Sequence, residues 1–145
     1  MKKEPLFSYN PESGEASCLI EDKDGNIIYG IAKCNPDDMD MASEKTGCDF
    51  AYRRAYIKVL QAYKKELKTE LRALNQLYYS MNRSKHFNPK SYENKMLQRQ
   101  IRQKQEDINY VNDSIENSKK ELRYIIKEKD KFYQGIRKHR NKAKN

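Results

Sequence analysis

The 145-residue chain has no tryptophan, only five glycines, four prolines and three cysteines, and no long hydrophobic run. Without about 18 consecutive apolar residues, no membrane-spanning helix is expected. Met1-Lys2-Lys3 leads into Glu4-Pro5 rather than into an apolar stretch, so the sequence does not predict a signal peptide. We therefore expect a cytoplasmic protein that does not act in a membrane.

The cysteines and histidines are too few and too scattered for a predictable metal site. Cys18, Cys34 and Cys48 are an odd number of widely spaced thiols, which favours reduced cysteines over a disulfide framework. His86 and His139 lie far from any Cys-x-x-Cys pair. The chain also lacks a phosphate-binding glycine loop, a Gly-x-Ser-x-Gly turn, a His-Glu-x-x-His helix and a calcium loop. These absences predict a protein that is not an enzyme and holds neither cofactor nor metal.

Charge is abundant and unevenly distributed. Charged residues make up 35% of the chain against 37% hydrophobic residues, and the net charge is +9. Residues 1–50 carry a net charge of −6, and residues 51–145 carry +15. A basic excess of this size attracts polyanions, namely nucleic acid, nucleotides or an acidic protein surface. A solvated, lysine-rich helix surface explains the same charge equally well.

The N-terminal part predicts a β-hairpin followed by a helix. Asp24-Gly25 separates two apolar runs, which is a strong hairpin signal. A two-residue loop would set Ile20 opposite Tyr29 and Cys18 opposite Ile31. One face of the hairpin would then carry Cys18, Ile20, Tyr29 and Ile31. The other face would carry Leu19, Ile28, Gly30, Ala32 and Cys34.

Small residues on the second face match small residues on the helix that follows. Gly30 and Ala32 leave room for a close backbone approach, and Gly47, Ala51 and Ala55 recur every four residues on one side of a helix. Packing the helix on this face leaves the first face bare, and such a face usually has a partner. We expect a homodimer or higher homo-oligomer, or a third strand formed by residues 6–9.

One segment carries a family resemblance. Gly30-Ile-Ala-Lys-Cys34-Asn-Pro36-Asp-Asp, then Gly47 and Ala51-Tyr-Arg-Arg-Ala55, resembles a strand–turn–helix module of small phage proteins. Within that group, residues 18–58 are similar to the Thoeris anti-defence family of phage-encoded sponges. The resemblance implies a phage protein in the cytoplasm of a bacterial host. It also implies that the protein binds a cyclic ADP-ribose-type signal and releases it unchanged.

The rest of the chain has the 3.5-residue apolar period of a coiled coil. The first predicted seam comprises Ile57, Leu60, Lys64, Leu67, Leu71, Leu74, Tyr78 and Met81. The second comprises Leu97, Ile101, Lys104, Ile108, Val111, Ile115, Ser118, Leu122, Ile125, Lys129, Phe132 and Ile136. Asn88 and Pro89 suit the cap and first turn of a new helix, and the short linker favours an antiparallel return.

The sequence thus predicts an α+β fold, with a small N-terminal β-hairpin or sheet packed on a helix and then a long antiparallel helical hairpin. The expected parts are a flexible arm at 1–15, a hairpin head and turn at 16–42, a first helix at 43–82, a loop at 83–89, a second helix at 90–138 and a basic tail at 139–145.

Two groups of side chains are candidates for a nucleotide-type ligand. Arg53 and Arg54 lie beside Tyr52 and Tyr56, and guanidinium groups with aromatic rings suit phosphate binding and base stacking. The alternative is structural, because Arg53 also falls on the extrapolated seam. The second group is His86, Phe87, Asn88 and Tyr92, where Phe87 has the alternative role of closing the end of the helical hairpin.

These residues lead to three hypotheses about function. The first is a non-enzymatic phage anti-defence protein that sequesters a nucleotide-derived immune signal, either cyclic ADP-ribose-like or a cyclic oligonucleotide. The second is a basic coiled-coil protein that binds nucleic acid. The third is an inhibitor that binds a bacterial immune protein. The candidate phosphate contacts for the second hypothesis are Arg137, Lys138, Arg140 and Lys142.

Overall fold

The computed structural model describes residues 4–34, 43–83, 88 and 90–144, without the side chains of residues 140, 141, 143 and 144. It contains strands β1 (Leu6–Asn10), β2 (Glu15–Glu21) and β3 (Ile27–Lys33), then helices α1 (Glu44–Asn82) and α2 (Tyr92–Lys144). The strands form one antiparallel sheet in the order β1-β2-β3. This confirms the α+β fold with a helical hairpin. The chain forms two compact units, Met1–Val59 with Glu116–Asn145, and Leu60–Ile115.

The first strand lies where a flexible arm was expected. β1 pairs with β2 from Leu6↔Leu19 to Asn10↔Glu15. The turn between the strands is held by the Asn10 side chain, whose Oδ1 accepts a hydrogen bond from the Glu12 amide at 2.9 Å. Gly14 completes the turn with a φ of 70°. The arm assigned to 1–15 is therefore wrong over residues 6–10, and the alternative of a third strand is confirmed.

The β2–β3 hairpin has a different register from the expected one. Ile20 lies opposite Ile28, and Cys18 lies opposite Gly30. Asp22 and Asn26 close the turn, because the Asp22 amide donates to the Asn26 carbonyl at 2.9 Å. Asp22 Oδ1 also accepts hydrogen bonds from the amides of Asp24 and Asn26. Within this turn only Gly25 has a positive φ, at 82°, whereas a type I′ turn needs two such residues. The loop therefore consists of three residues, Lys23, Asp24 and Gly25, instead of two.

A one-residue shift exchanges the two faces of β2. The face toward α1 carries Ala16, Cys18 and Ile20 from β2, together with Ile28, Gly30 and Ala32 from β3. The outer face carries Leu19 from β2, and Ile27, Tyr29 and Ile31 from β3. The predicted faces were thus right for β3 and wrong for β2. β1 widens the sheet, and no described element covers its outer face.

The expected contact between small residues forms the core of the first unit. A Cβ added at Gly30 would lie 2.2 Å from the Ala51 carbonyl oxygen and 2.5 Å from the Ala55 amide nitrogen. A Cβ added at Gly47 would lie 3.0 Å from the Ala16 Cβ. The fully or nearly fully buried side chains here are Ala16, Cys18, Ala32, Ala51 and Ala55. The helix backbone therefore packs directly on the sheet, as the small residues predicted.

The three cysteines are free thiols, as predicted. Cys18 is fully buried in this core, and Cys48 packs against it. Burial raises the pKa of both thiols. Because the thiolate is the reactive form, a raised pKa lowers the reactivity of these two cysteines at neutral pH.

The helix ends differ in part from the expected ones. Ser43 caps α1, with its Oγ accepting a hydrogen bond from the Thr46 amide at 3.4 Å. Ser91 caps α2 in the same way through the Asn94 amide at 3.2 Å, so Asn88 is not the cap that was expected. The second helix begins at Tyr92 and continues to Lys144, through the region assigned to a basic tail. Residues 35–42 of the predicted hairpin head and turn lie outside the described residues.

The second unit consists of the paired middle parts of the two helices. Its core contains Leu67 from α1 with Ile108, Val111 and Ile115 from α2, all predicted seam positions. Lys104 forms an ion pair with Glu70 across this seam, in which its Nζ donates a hydrogen bond to the Glu70 carboxylate. This hydrogen bond raises the pKa of Lys104. All predicted seam positions in both helices are described, and among them only Phe132 is exposed. In the described part of the chain, neither helix is long and apolar enough to cross a membrane.

The contact at Gly30 predicts a large and specific loss of stability. Gly30→Ala would push a methyl group into the α1 backbone, which cannot give way as a flexible side chain does. We expect the free energy of unfolding to fall by about 3 kcal/mol, the upper end of typical overpacking costs. Urea denaturation followed by circular dichroism measures this change.

Gly135→Ala is the matched control. A Cβ at this position in α2 meets no atom within 4 Å. Alanine favours a helix over glycine by about 1 kcal/mol, so this variant should be at least as stable as the wild type. Equal stability of the two variants would contradict the close contact at Gly30.

Candidate anion-binding cavity

The end of β3, the first turns of α1 and part of α2 enclose a cavity of about 190 Å³ in the first unit. Its lining combines basic groups, two aromatic rings and several small side chains. The lining residues are Gly14, Ala32, Lys33, Cys34, Ser43, Thr46, Gly47, Phe50, Arg54, Ile126, Lys129, Asp130 and Tyr133. The lining thus includes three basic residues, Lys33, Arg54 and Lys129, and one acidic residue, Asp130, and Lys33 pairs with Glu15 at 3.6 Å.

Arg54 is fixed in the cavity wall by the edge of the sheet. Its Nη1 donates a hydrogen bond to the Ile31 carbonyl at 2.7 Å. One turn later, Lys58 Nζ donates to the Tyr29 carbonyl at 2.8 Å. These two carbonyls lie on the outer edge of β3, so both side chains satisfy backbone groups that would otherwise be open to another strand. A guanidinium group has five N–H donors, so Arg54 can also donate to an acceptor in the cavity.

Lys129 brings a partly buried charge to the same cavity. Burial lowers the pKa of Lys129, although Asp49 and Cys34 act in the opposite direction. Its Nζ lies 5.2 Å from the centroid of the Phe50 ring, within the range of a cation–π interaction. An anion in the cavity would offset the cost of burying this charge, because it would stabilise the protonated amine.

The first turn of α1 adds further attraction for an anion. Ser43, Thr46 and Gly47 lie in the lining, next to the positive end of the helix dipole. Ser43 and Thr46 also contribute hydroxyl groups that can donate hydrogen bonds. Together with Arg54 and Lys129, this turn suits a phosphate-sized group.

The first predicted group of ligand residues does not meet in one pocket. Arg53 points toward α2, with ion pairs to Asp49 at 3.1 Å and to Glu121 at 2.9 Å. Tyr52 and Tyr56 stack with their ring centroids 6.3 Å apart, and Phe7 of β1 approaches Tyr52 at 6.5 Å. Neither tyrosine lines the cavity. Of these four residues, only Arg54 does.

The second predicted group can be placed only in part. His86 and Phe87 lie outside the described residues. Asn88 stabilises the start of α2, where its carbonyl accepts a hydrogen bond from the Ser91 amide at 3.1 Å. Tyr92 is an exposed residue in the first turn of α2. Asn88 and Tyr92 belong to the second unit and lie outside the lining of the cavity.

The predicted phosphate contacts near the C-terminus lie on helix α2. Lys138 and Lys142 are exposed, and they are one helical turn apart. Arg137 is half-buried, and the side chain of Arg140 is not described. These residues are therefore presented by a regular helix.

Several cavity residues were not predicted from the sequence as ligand contacts, namely Lys33, Thr46, Phe50, Lys129 and Tyr133. One signal for Lys129 was present, because a lysine at a predicted seam position must bury part of its charge. No comparable signal marked Lys33 or Tyr133, since their place in the lining depends on how α2 packs against the sheet.

No group of three or more metal-ligating side chains occurs among the described residues. Comparison with protein-family models, with curated proteins and with solved structures gave no match.

The partly buried charge of Lys129 predicts a variant that is more stable than the wild type. Lys129→Met keeps the aliphatic stem and removes the charge, so it should unfold at a higher urea concentration at pH 7. The unfolded chain binds more protons than the folded one between the lowered pKa and the ordinary value of 10.5. The free energy of unfolding of the wild type therefore rises with pH across this window. The difference in urea midpoint between Lys129→Met and the wild type should become smaller as the pH is raised.

Lys127→Met is the control for this experiment, because Lys127 is exposed on the same helix. It should leave the urea midpoint nearly unchanged throughout the pH series. A Lys129→Met protein that is less stable than the wild type at pH 7 would show that the charge contributes more through its contacts than it costs through burial.

Proposed function

We propose that the protein binds a phosphate-bearing, nucleotide-type small molecule in this cavity and sequesters it without chemical change. The ligand class is a cyclic ADP-ribose-like molecule or a cyclic oligonucleotide. The setting implied by the resemblance is phage anti-defence in the cytoplasm of a bacterial host. No catalytic step forms part of the proposal.

The observation that carries the proposal is the convergence of Arg54 and Lys129 on one cavity beside the first turn of α1. These groups come from different elements, and one of them has its charge partly buried. Charge-assisted hydrogen bonds from such groups to a phosphate are about twice as strong as neutral ones. Phe50 and Tyr133 add ring faces on which a sugar or a base can pack.

The size of the cavity limits how much of the ligand it encloses. Its volume of about 190 Å³ is below the range of roughly 300–1,000 Å³ that is usual for sites enclosing a whole drug-sized molecule. We therefore propose that one phosphate with its adjoining sugar enters the cavity. The base would lie at the mouth.

Binding of cyclic ADP-ribose and ADP-ribose, measured by isothermal titration calorimetry, tests the proposal. Lys129→Met should weaken binding about tenfold to a hundredfold, because losing a hydrogen bond to a charged group costs about 1.5–3 kcal/mol. Since the same substitution is expected to stabilise the fold, the loss of affinity would not reflect unfolding. Chromatography of the bound fraction should recover the ligand intact.

Two controls separate the cavity from general charge effects. Lys127→Met removes the same charge from an exposed position of α2, and Arg53→Met removes a charge next to Arg54 that does not line the cavity. Both variants should bind like the wild type. Unchanged affinity in Lys129→Met would refute the proposed site, and no binding of either probe to the wild type would refute the cyclic ADP-ribose-like ligand class.

A second candidate function, nucleic-acid binding, is favoured by a surface on α1 in the second unit. Lys68, Arg72, Asn75 and Tyr79 line a shallow groove there. The guanidinium carbon of Arg83 lies 5.1 Å from the centroid of the Tyr79 ring. Cationic and aromatic side chains in one row suit the backbone and bases of a single strand.

Salt-dependent binding of a single-stranded DNA oligonucleotide tests this alternative by fluorescence anisotropy. Replacing Lys68 and Arg72 by Ala should reduce the slope of log affinity against log salt by about 1.4, or about 0.7 for each lost phosphate contact to a single strand. Replacing the exposed Lys120 and Lys127 by Ala is the control and should leave the slope unchanged. Equal slopes for both double variants would exclude this surface as the binding site.

A further inference from the structure

The outer face of the sheet is apolar and exposed. Five large apolar side chains on this face point away from α1, and we call them the outer-face patch: Leu6, Leu19, Ile27, Tyr29 and Ile31. Leu6, Leu19 and Tyr29 form one row across the three strands, with Ile27 and Ile31 on either side of Tyr29 along β3. Leu6 is 67% exposed, Ile27 is 68% exposed and Tyr29 is 53% exposed.

This pattern is unusual for a sheet that faces water. An antiparallel sheet with one solvated face normally alternates apolar residues toward the core with polar residues toward solvent. Here β3 is apolar on both faces from Ile27 to Ile31. Contiguous patches of a few hundred Å² on a small protein commonly mark an interaction surface.

The neighbouring elements restrict how a partner can reach the sheet. Arg54 and Lys58 occupy the carbonyls on the outer edge of β3, so another strand cannot pair along that edge without displacing them. The side chains of the outer-face patch are exposed, and at its β3 edge Lys58 Nζ lies 4.7 Å from the centroid of the Tyr29 ring. A partner that covers the patch is therefore expected to pack on the face of the sheet rather than to pair along β3.

We infer that a second copy of this chain packs on the outer-face patch, sheet against sheet, to form a two-fold homodimer. The axis lies between the sheets, perpendicular to the strands, along the row of Leu6, Leu19 and Tyr29. Each member of this row then faces its own counterpart. Ile27 faces the partner's Ile31, so all five apolar side chains meet apolar side chains.

The pattern of the patch selects this axis over one that runs along the strands. An axis along the strands exchanges β1 with β3, and it sets Ile31 against the partner's Ser8. It also brings the β2–β3 turns of the two copies together. Each turn carries three acidic residues, Glu21, Asp22 and Asp24, and one basic residue, Lys23. The perpendicular axis instead keeps the two acidic turns apart and brings each toward the other end of the partner's sheet, where the partner's Lys33 pairs with the partner's Glu15 at 3.6 Å. Keeping like charges apart favours this arrangement.

The area of the patch is compatible with a modest dimer. Side chains of these types with such exposures each leave on the order of 100 Å² in water, so two facing patches bury on the order of 1,000 Å² in total. This value is at the lower limit for a specific interface. We therefore expect a dissociation constant in the micromolar range rather than an obligate dimer.

Sedimentation velocity over a concentration series tests the inference. The wild type should sediment as a dimer that dissociates on dilution, and Leu19→Lys or Ile31→Thr should remain monomeric at concentrations where the wild type is dimeric. Leu77→Lys, at an exposed apolar position of α1 in the other unit, is the control and should still dimerise. Circular dichroism must show unchanged helix content in each variant that is compared.

A monomeric wild type at high concentration would overturn the inference, and so would a dimer that survives both outer-face substitutions.

Cross-linking tests the axis in a background with Cys34 and Cys48 replaced by Ser. A mixture of Ile27→Cys and Ile31→Cys chains is treated with a bismaleimide. Its spacer of about 10 Å matches the usual spacing between packed sheets, so it should link one variant to the other. A dimer that yields no such heterologous product would overturn the proposed axis.

Discussion

The close approach of the Gly30 backbone to α1 determines the arrangement of the first unit. Because Ala51 and Ala55 meet a strand residue without a side chain, the helix axis lies unusually near the sheet. At that distance, Arg54 and Lys58 reach the carbonyls on the edge of β3. The first turn of α1 is also brought beside the end of β3, where the cavity forms. One small-residue contact thus positions both the sheet edge and the candidate ligand site.

This contact also has a consequence for the opposite side of the sheet. A helix that packs this closely buries Ala16, Cys18 and Ala32 but encloses little apolar volume. The larger β-branched and aromatic residues of β3 alternate onto the outer face, where α1 cannot cover them. Burying them in a second interface would recover the hydrophobic stabilisation that a thin core does not provide.

The features that were predictable from the sequence are those set by local periodicity. The 3.5-residue seam placed Leu67, Ile108 and Val111 in a core, and the four-residue spacing of small residues placed Ala51 and Ala55 against the sheet. The hairpin register was not predictable in this way, because it depends on whether Asp22 or Lys23 closes the turn. The Asp22 hydrogen bonds decide this, and they changed the facing of every β2 side chain.

The candidate site was predicted poorly because its residues converge from separate elements. Arg53 and Arg54 are adjacent in sequence, but successive helix residues point about 100° apart, so one pairs with α2 and the other lines the cavity. Lys129 joins Arg54 only through the packing of α2. A lysine with a partly buried charge costs stability at a seam position, where an apolar residue would contribute to stability instead. An anion bound against its amine, as proposed above, would offset that cost.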